Sequence, residues 1–198
     1  MYLRPAFVET DLARIEALIR AHPFGVLVTH GADGMDASHI QFAVTRDADT
    51  LVLQGHLAKP NAQCVAFTGG TAIAIFSGPH AYIAPSWYAA QPSVPTWDYV
   101  AVHVHGALES VTDHTEMLDQ LQAEDPGGFD VRHLPDRYHE AMFNGIRSFR
   151  LRGTRIEAQW KMSQNRSADD RKGVIAGLRM QGRHDVAEMI EAGLPTIT

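Results

Sequence analysis

One long stretch of the chain, from Tyr99 to Val111 (YVAVHVHGALESV), alternates between apolar and polar or small side chains. Alternation with a period of two places successive side chains on opposite faces of a β-strand. Shorter apolar and β-branched runs, such as FGVLVT at 24–29, precede it and are separated by turn residues. Many short strands joined by tight turns are typical of a small barrel, so we predict a mainly β fold with flanking helices.

The same patterns predict the remaining elements. Further strands are expected at 35–44, 51–55, 72–77, 81–84 and 148–160, with turns at 31–34, 46–49 and 69–70. Helices are expected at 10–21, from Asn61 to Phe67, after a cap formed by Asp113 and Glu116, from Pro135 to Phe143, and as a C-terminal pair at about 167–192. The final LPTIT is expected to be loose. Because no linker or repeat divides the chain, we predict a single domain over 1–198.

Composition limits the possible partners and compartments. The chain has 198 residues and a formal net charge of −6, so a polyphosphate would repel it unless a local basic patch were present. The one cysteine, Cys64, cannot form an internal disulfide. No apolar run approaches the roughly 20 residues that span a bilayer. We therefore expect a cytoplasmic protein that does not cross membranes.

Four segments concentrate polar and aromatic side chains at the ends of predicted strands. They are ASHI at 37–40, GHLAKPN at 55–61, PSWY at 85–88 with PTWDY at 95–99, and WKMSQNR at 160–166. Each one alone is explained by the usual preference of Ser, Asn and Gly for turns. Their combination in one chain indicates a binding site.

The chain resembles the PaiB family of FMN-binding negative transcriptional regulators in an ordered set of segments. In chain order these are GHLAKPNAQ, GPHAYIAPSWY, VPTWDYVAVHVHG and WKxSQNR followed by GVIAGLR. The resemblance starts at MYLRPAF and extends past Gly177. It implies a split β-barrel related to the pyridoxamine phosphate oxidase and flavin reductase proteins, with FMN bound at the interface of a homodimer. One position departs from the family, in which Asn often follows PTW where this chain has Asp98.

A pocket for FMN needs a cation and hydroxyls for the phosphate, amide or backbone groups for the pyrimidine edge, and flat apolar cover for the ring. We expect the phosphate to be held by Ser38, Lys59 and Asn61. We expect the polar ring edge to meet Lys161, Gln164 and Asn165, and the ring face to meet Tyr82, Trp87 and Trp97. His39 and His56 lie at strand ends, where an imidazole either donates to phosphate or a flavin carbonyl or serves the structure alone.

Two other patterns have simpler explanations. His103 and His105 share one face of the predicted long strand and, with His80, have the residue types of a metal site. No cysteine or carboxylate stands nearby at ligand spacing, so we predict no metal, and haem ligation is not favoured either.

The last two helices have the outline of a helix-turn-helix motif. The second of them carries Asp185, Glu188 and Glu191, which DNA phosphates would repel. We favour a packing pair over a DNA-reading one.

Three functions remain open. The chain lacks the Gly-x-Ser-x-Gly, HExxH, phosphate-loop and Rossmann glycine patterns, so the hydrolase, metalloprotease, nucleotidase and NAD-domain classes have no support. The alternatives are an FMN-binding transcriptional regulator, as the resemblance implies, a flavin-dependent oxidoreductase acting on a small molecule, and a haem- or other ligand-binding protein without catalysis. A homodimer is expected because a small split barrel leaves a sheet face and a strand edge exposed.

Overall fold

A computed structural model of the protein describes residues 1–31, 34–125 and 127–193. The chain forms two compact units, each of which is described by itself. The central unit comprises Asp11–Phe76 and His103–Ile156, and the terminal unit comprises Met1–Thr10, Ser77–Val102 and the described chain from Glu157 onward. The single domain over 1–198 stays a prediction.

The secondary structure is dominated by one sheet. Its seven strands are β1 (Phe24–Gly31), β2 (Gly34–Gln41), β3 (Ala43–Asp47), β4 (Thr50–Ala58), β5 (Thr68–Ile83), β6 (Thr96–Val111) and β7 (Ile146–Lys161). Their order is β2-β1-β5-β6-β7-β4-β3, and β1 with β2, β1 with β5, β3 with β4, and β4 with β7 pair antiparallel. The long alternating stretch is β6, as the sequence predicts, and the mainly β prediction is confirmed.

The turn predicted at Gly69 and Gly70 is wrong. Strand β5 runs through both glycines, so the two short strands expected at 72–77 and 81–84 are one. Gly70 passes close to the preceding 3-10 helix (Ala62–Phe67), where a Cβ would lie 2.7 Å from the carbonyl oxygen of Ala66. The glycines are required by this close approach and by the positive φ of Gly69, not by a reversal of the chain.

The strand predicted at 35–44 is divided in two. Phe42 separates β2 from β3, and its backbone N–H donates to the carbonyl oxygen of Pro23 at 2.9 Å. The Phe42 side chain is fully buried and packs edge-on against Phe76 and Phe149, with centroids 5.2 and 6.1 Å away. Burial of the Phe42 ring favours the break between β2 and β3, because the backbone must depart from the line of the strand to place this ring in the core.

Five α-helices flank the sheet among the described residues. They are α1 (Leu12–Ala21), α2 (His114–Glu124), α3 (Asp136–Gly145), α4 (Ala168–Met180) and α5 (His184–Glu191). Asp113 caps α2 by accepting from the backbone N–H of Glu116 at 2.9 Å, and Ser167 caps α4 by accepting from Asp170 at 3.1 Å. The predicted cap at Asp113 is confirmed, and LPTIT lies outside the described residues. None of these helices has the length and apolarity that crossing a membrane would require.

In the terminal unit, Trp87 packs tightly on α4. A Cβ at Gly177 would lie 2.3 Å from the indole ring, and a Cβ at Gly173 would lie 1.9 Å from the Trp87 carbonyl oxygen. Only glycine permits this approach, because any side chain would occupy the space of the indole. The buried face shared by α4 and α5 carries Val174, Leu178, Val186 and Ile190.

Candidate functional site

The predicted site residues fall into two groups, one in each unit. The central unit holds Ser38, His39, His56, Lys59 and Asn61. The terminal unit holds Tyr82, Trp87, Trp97, Lys161, Gln164 and Asn165. We describe each group separately.

Ser38 and Asn61 are brought together by a buried glutamine. Nδ2 of Asn61 donates to Oγ of Ser38 at 3.0 Å, and that hydroxyl donates in turn to Oε1 of Gln63. Asn61 also caps the 3-10 helix, because its Oδ1 accepts from the backbone N–H of Gln63 at 2.9 Å. The two predicted phosphate ligands therefore fix the shape of the turn that follows β4.

Gln63 is the residue that sequence reasoning missed. Its side chain is 2% exposed, and its Nε2 lies within 3.2 Å of the carbonyl oxygens of Leu27 and Asp36 and 3.0 Å from Oγ1 of Thr29. A buried amide without such acceptors would be costly, so this network ties the turn to β1 and β2. Gln63 is the last residue of the GHLAKPNAQ segment. A glutamine beside a turn is expected to be exposed, and no local sequence pattern indicates that this one is buried.

His39 lies on the opposite face of β2 from its neighbour Ser38, because successive strand residues alternate. The imidazole is exposed and stacks on Phe24, with centroids 6.1 Å apart and planes 29° apart. Ser38 and His39 therefore do not point to one common ligand position on β2. Each is a separate candidate.

Lys59 follows β4 directly and extends its pairing with β7. Its backbone N–H donates to the carbonyl oxygen of Gly145 at 2.9 Å, which continues the register that pairs Ala58 with Ile146. The side chain is exposed and makes no hydrogen bond or ion pair within residues 1–31, 34–125 and 127–193. A fixed backbone thus carries an uncompensated positive charge.

His56 is paired with an acid from α2. Its Nδ1 lies 3.0 Å from Oε2 of Glu124, an ion-pair approach rather than a well-aligned hydrogen bond. Oε1 of Glu124 accepts from Nε2 of Gln120 at 3.0 Å, and both of these residues are buried. The Glu124 carboxylate raises the pKa of His56 above its usual value, and partial burial of the imidazole acts in the opposite direction. In the sequence, Glu124 lies far from the candidate segments, and no pattern there identifies it as the partner of His56.

In the terminal unit, a buried carboxylate organises the end of β7. Asp98 is 1% exposed, and its Oδ2 accepts from Oγ of Ser163 at 2.5 Å. Ser163 has a φ of +54°, a left-handed conformation that is uncommon for a residue other than glycine. The hydrogen bond to Asp98 helps to hold this strained turn in place.

Lys161 lies beside the same carboxylate. Its Nζ is 3.8 Å from Oδ1 of Asp98 and donates to Oγ1 of Thr96 at 2.5 Å and to the carbonyl oxygen of Trp97. Burial raises the pKa of Asp98, although Ser163 and Lys161 oppose this, and burial lowers the pKa of Lys161, although Asp98 opposes this. The negative charge that distinguishes Asp98 from the Asn of the family pattern therefore points into the protein, where Lys161 compensates it.

Two aromatic side chains of the predicted ring group remain available to a ligand. Trp97 is 54% exposed and Tyr82 is 43% exposed, and they meet edge to face with centroids 6.0 Å apart. His80 adds a third ring, 6.3 Å from that of Trp97. A half-exposed cluster of flat side chains beside the Lys161 ammonium is suited to a planar polar ligand.

The other three members of this group are placed differently. Trp87 is half-buried against α4, as described above. Gln164 is buried and uses its amide inside its own turn, since Oε1 accepts from the N–H of Met162 at 2.7 Å and Nε2 donates to the carbonyl oxygen of Trp160. Asn165 is exposed on that turn. Gln164 thus shapes the loop that presents Asn165.

Comparison with known proteins identifies the family of the chain. Residues 1–155 match the family described as "Putative FMN-binding domain". The chain is 30% identical over 198 residues to the Protease synthase and sporulation protein PAI 2 of Bacillus subtilis, covering 96% of this chain and 95% of that protein.

Two solved structures are similar in fold. The flavocytochrome Anf3 of Azotobacter vinelandii has a TM-score of 0.61 at 14% identity, covering 80% of this chain and 72% of that one. The FAD and heme binding protein of Mycobacterium smegmatis has a TM-score of 0.59 at 15% identity, covering 78% and 73%. At these identities the similarity shows the fold alone, and the split-barrel fold class predicted from the sequence is confirmed.

Proposed function

This chain belongs to the family of FMN-binding domains, so FMN is its cofactor, and from that premise we propose that Lys59 of the central unit binds the FMN phosphate. Within the terminal unit, taken by itself, we propose that Trp97 and Tyr82 form a surface suited to a flavin ring. Bound FMN supplies hydride or electron transfer, which no side chain of this protein provides. The observation that carries the proposal is the exposed ammonium of Lys59, which has no partner among the described residues, on a turn held by backbone hydrogen bonds.

The phosphate assignment rests on charge and rigidity. A phosphate monoester is attracted to a cation that has no acid beside it, and Lys59 has none within the described residues. The Ser38–Asn61–Gln63 network fixes the backbone next to it. A cation on a preorganised turn loses little entropy when a ligand binds.

The ring assignment rests on exposure and polarity. Trp97 and Tyr82 offer partly exposed apolar faces, and the pair formed by the half-buried Lys161 and the buried Asp98 lies beside them. Asn165 presents an exposed amide on the same turn as Gln164. These groups supply the flat cover and the hydrogen-bonding edge that a flavin ring requires. His39, His56 and Trp87 are retained as secondary candidates.

A regulatory role is the second candidate, and the 30% identity over 96% of the chain with the Protease synthase and sporulation protein PAI 2 favours it. In our proposal such a role does not use α4 and α5 to read DNA. Glu191 of α5 pairs with Arg179 of α4 at 2.6 Å, and Asp185 pairs with Arg183 at 3.1 Å. These ion pairs use the arginines that a DNA-reading helix would direct to phosphates.

We further propose that the protein is a cytoplasmic homodimer. Val26 and Val28 of β1 and Ile73 and Ile75 of β5 stand opposite one another on one face of the sheet and are only partly buried. Aliphatic side chains on a half-exposed sheet face favour coverage by a second copy. Light scattering should give twice the chain mass, and a monomer with flavin bound would contradict the dimer.

Purification without added cofactor tests the proposed function directly. The visible spectrum of the protein and the identity of the ligand released on denaturation separate FMN, haem and no ligand. We expect FMN, or stoichiometric binding of added FMN. Oxidation of NADH or NADPH by the loaded protein, measured alongside binding to random DNA, then separates a reductase from a regulator.

The role of Lys59 is tested with two flavins. Lys59→Ala should weaken FMN binding roughly 10- to 150-fold, as expected for loss of a charged hydrogen bond, and should hardly change riboflavin binding. Lys172→Ala removes an exposed lysine of α4 that pairs with Asp169, and it should change neither affinity. Equal losses for both flavins would assign the effect to the ring pocket or the fold and contradict the proposal.

A further inference from the structure

We propose that Arg147 is a second phosphate-binding cation, acting with Lys59, and that the pair makes the site select a flavin bearing a dianionic phosphate over an unphosphorylated one. This inference rests on the proposed function, because it names a partner and a specificity for the same site.

The strand register brings the two cations together. Arg147 stands directly opposite Leu57 in the β4–β7 ladder, and Lys59 continues the same register opposite Gly145. Residues opposite each other in an antiparallel pair share a face, and Lys59 shares the face of Leu57 because the two are two positions apart. Lys59 and Arg147 are therefore diagonal neighbours on one face. At such positions Cα atoms are about 7–8 Å apart, within reach of long side chains.

A second observation concerns the charge of the guanidinium near the same turn. The positive charge of Arg147 acts to lower the pKa of the Cys64 thiol, against the larger opposite effect of burial. Cys64 belongs to the 3-10 helix that Asn61 caps. Arg147 thus lies close to the turn that carries Lys59 and that the Ser38–Asn61–Gln63 network fixes.

Arg147 also differs from neighbouring arginines of β7. Arg150 lies 2.8 Å from a carboxylate oxygen of Glu116, and Arg152 lies 2.5 Å from one of Asp47. The Arg147 side chain is exposed and forms no hydrogen bond or ion pair with any residue the structure describes. An arginine held at a strand end without an acid is a group available for an external anion.

Two adjacent cations repel each other when no anion lies beside them. The chain as a whole is acidic, so other positions offer many carboxylates that compensate a cation. A phosphate monoester relieves the repulsion, because it carries close to two negative charges near neutral pH and has three acceptor oxygens. Arg presents a planar fork that binds two of these oxygens at once, while Lys provides a point charge. Riboflavin lacks the phosphate and gains nothing from either cation.

The test is titration of FMN and riboflavin into the wild type, Lys59→Ala, Arg147→Ala, the double variant and Arg152→Ala. We expect Arg147→Ala to weaken FMN binding by roughly tenfold or more and riboflavin binding by less than about twofold. The double variant should bind both flavins with nearly equal affinity. Arg152→Ala, which removes an arginine from the same strand, should change neither. Raising the salt concentration should weaken FMN binding to the wild type more than to the double variant.

Other outcomes separate this inference from the proposed function. Loss of FMN affinity in Lys59→Ala but not in Arg147→Ala overturns the role of Arg147 and leaves the Lys59 site standing. Equal losses of both flavins in Arg147→Ala overturn the specificity claim. A wild-type protein that binds neither flavin contradicts the proposed function and this inference with it.

Discussion

Nζ of Lys161 lies 3.8 Å from Oδ1 of Asp98, and this pair joins the last residue of β7 to the start of β6. The same carboxylate accepts from Ser163 through its other oxygen. Oδ1 of Asp98 is buried without a hydrogen bond to any described group, so the ammonium of Lys161 supplies its main compensation. A single buried acid therefore fixes both a cation and a left-handed turn next to the candidate ring site.

We expect Asp98→Ala to destabilise the protein by about 2–4 kcal/mol, because it leaves the Ser163 hydroxyl without its acceptor and the Lys161 ammonium without its counter-charge. Asp98→Asn keeps an oxygen for Ser163 and should cost less. Urea unfolding measures both. Glu188→Ala removes an exposed carboxylate of α5 and should stay within about 0.5 kcal/mol of the wild type. Equal stability of Asp98→Ala and the wild type would mean that the pair contributes nothing.

The His56–Glu124 pair should make stability depend on pH. Because Glu124 raises the pKa of His56 in the folded state, its stabilising contribution is complete below about pH 6.5, the value of an unperturbed imidazole, and is lost as pH rises through the raised pKa. Unfolding measured between roughly pH 6 and pH 8 should show this decline.

Glu124→Gln provides the decisive comparison for this pH effect. Only burial then acts on His56, so its pKa should fall below the usual value and the pH dependence should change sign. Glu116→Gln, which changes another carboxylate of α2 that pairs with Arg150, should leave the titration of His56 in NMR spectra as it is. A His56 titration that is identical in Glu124→Gln and the wild type would refute the coupling.

Trp97→Ala should weaken binding of FMN and riboflavin alike, by about three- to tenfold, because it removes aromatic cover from the part that the two flavins share. Stability should change little, since more than half of the indole is exposed. Flavin fluorescence titration measures the affinities. Val94→Ala, an exposed apolar residue nearby in sequence, is the control. Unchanged affinity for both flavins would remove Trp97 from the ring site.

Gly177→Ala should destabilise the protein by about 1–3 kcal/mol even though alanine is the better helix former, because the added methyl group overlaps the indole of Trp87. The tryptophan emission should shift as the ring is displaced. Ala176→Gly on the exposed side of the same helix should cost about 1 kcal/mol through helix propensity alone and leave the emission unchanged. A Gly177→Ala variant more stable than the wild type would show that Trp87 moves without cost.

The elements that the sequence predicted correctly depend on short-range signals. Asp113 and Ser167 cap helices through bonds to residues three positions away, and the alternation of β6 assigns each of its side chains to a face. Local backbone geometry alone decides such contacts. The errors at Gly69–Gly70 and Phe42 arise where a neighbouring element decides the path, because the glycines pass a helix and the phenylalanine enters the core.

The candidate site divides in the same way. The sequence by itself determined which residues could bind FMN, since their types and segments carry the family pattern. Only the tertiary structure decided that Gln63 and Gln164 use their amides in hydrogen bonds inside the protein and that Glu124 lies beside His56. It alone also set the register in which Arg147 stands opposite Leu57, two residues before Lys59. These partners are far apart in sequence or are chosen by burial. A polar group that loses water takes whichever partner the packed strands and helices bring within reach, and that choice is made only when the chain has folded.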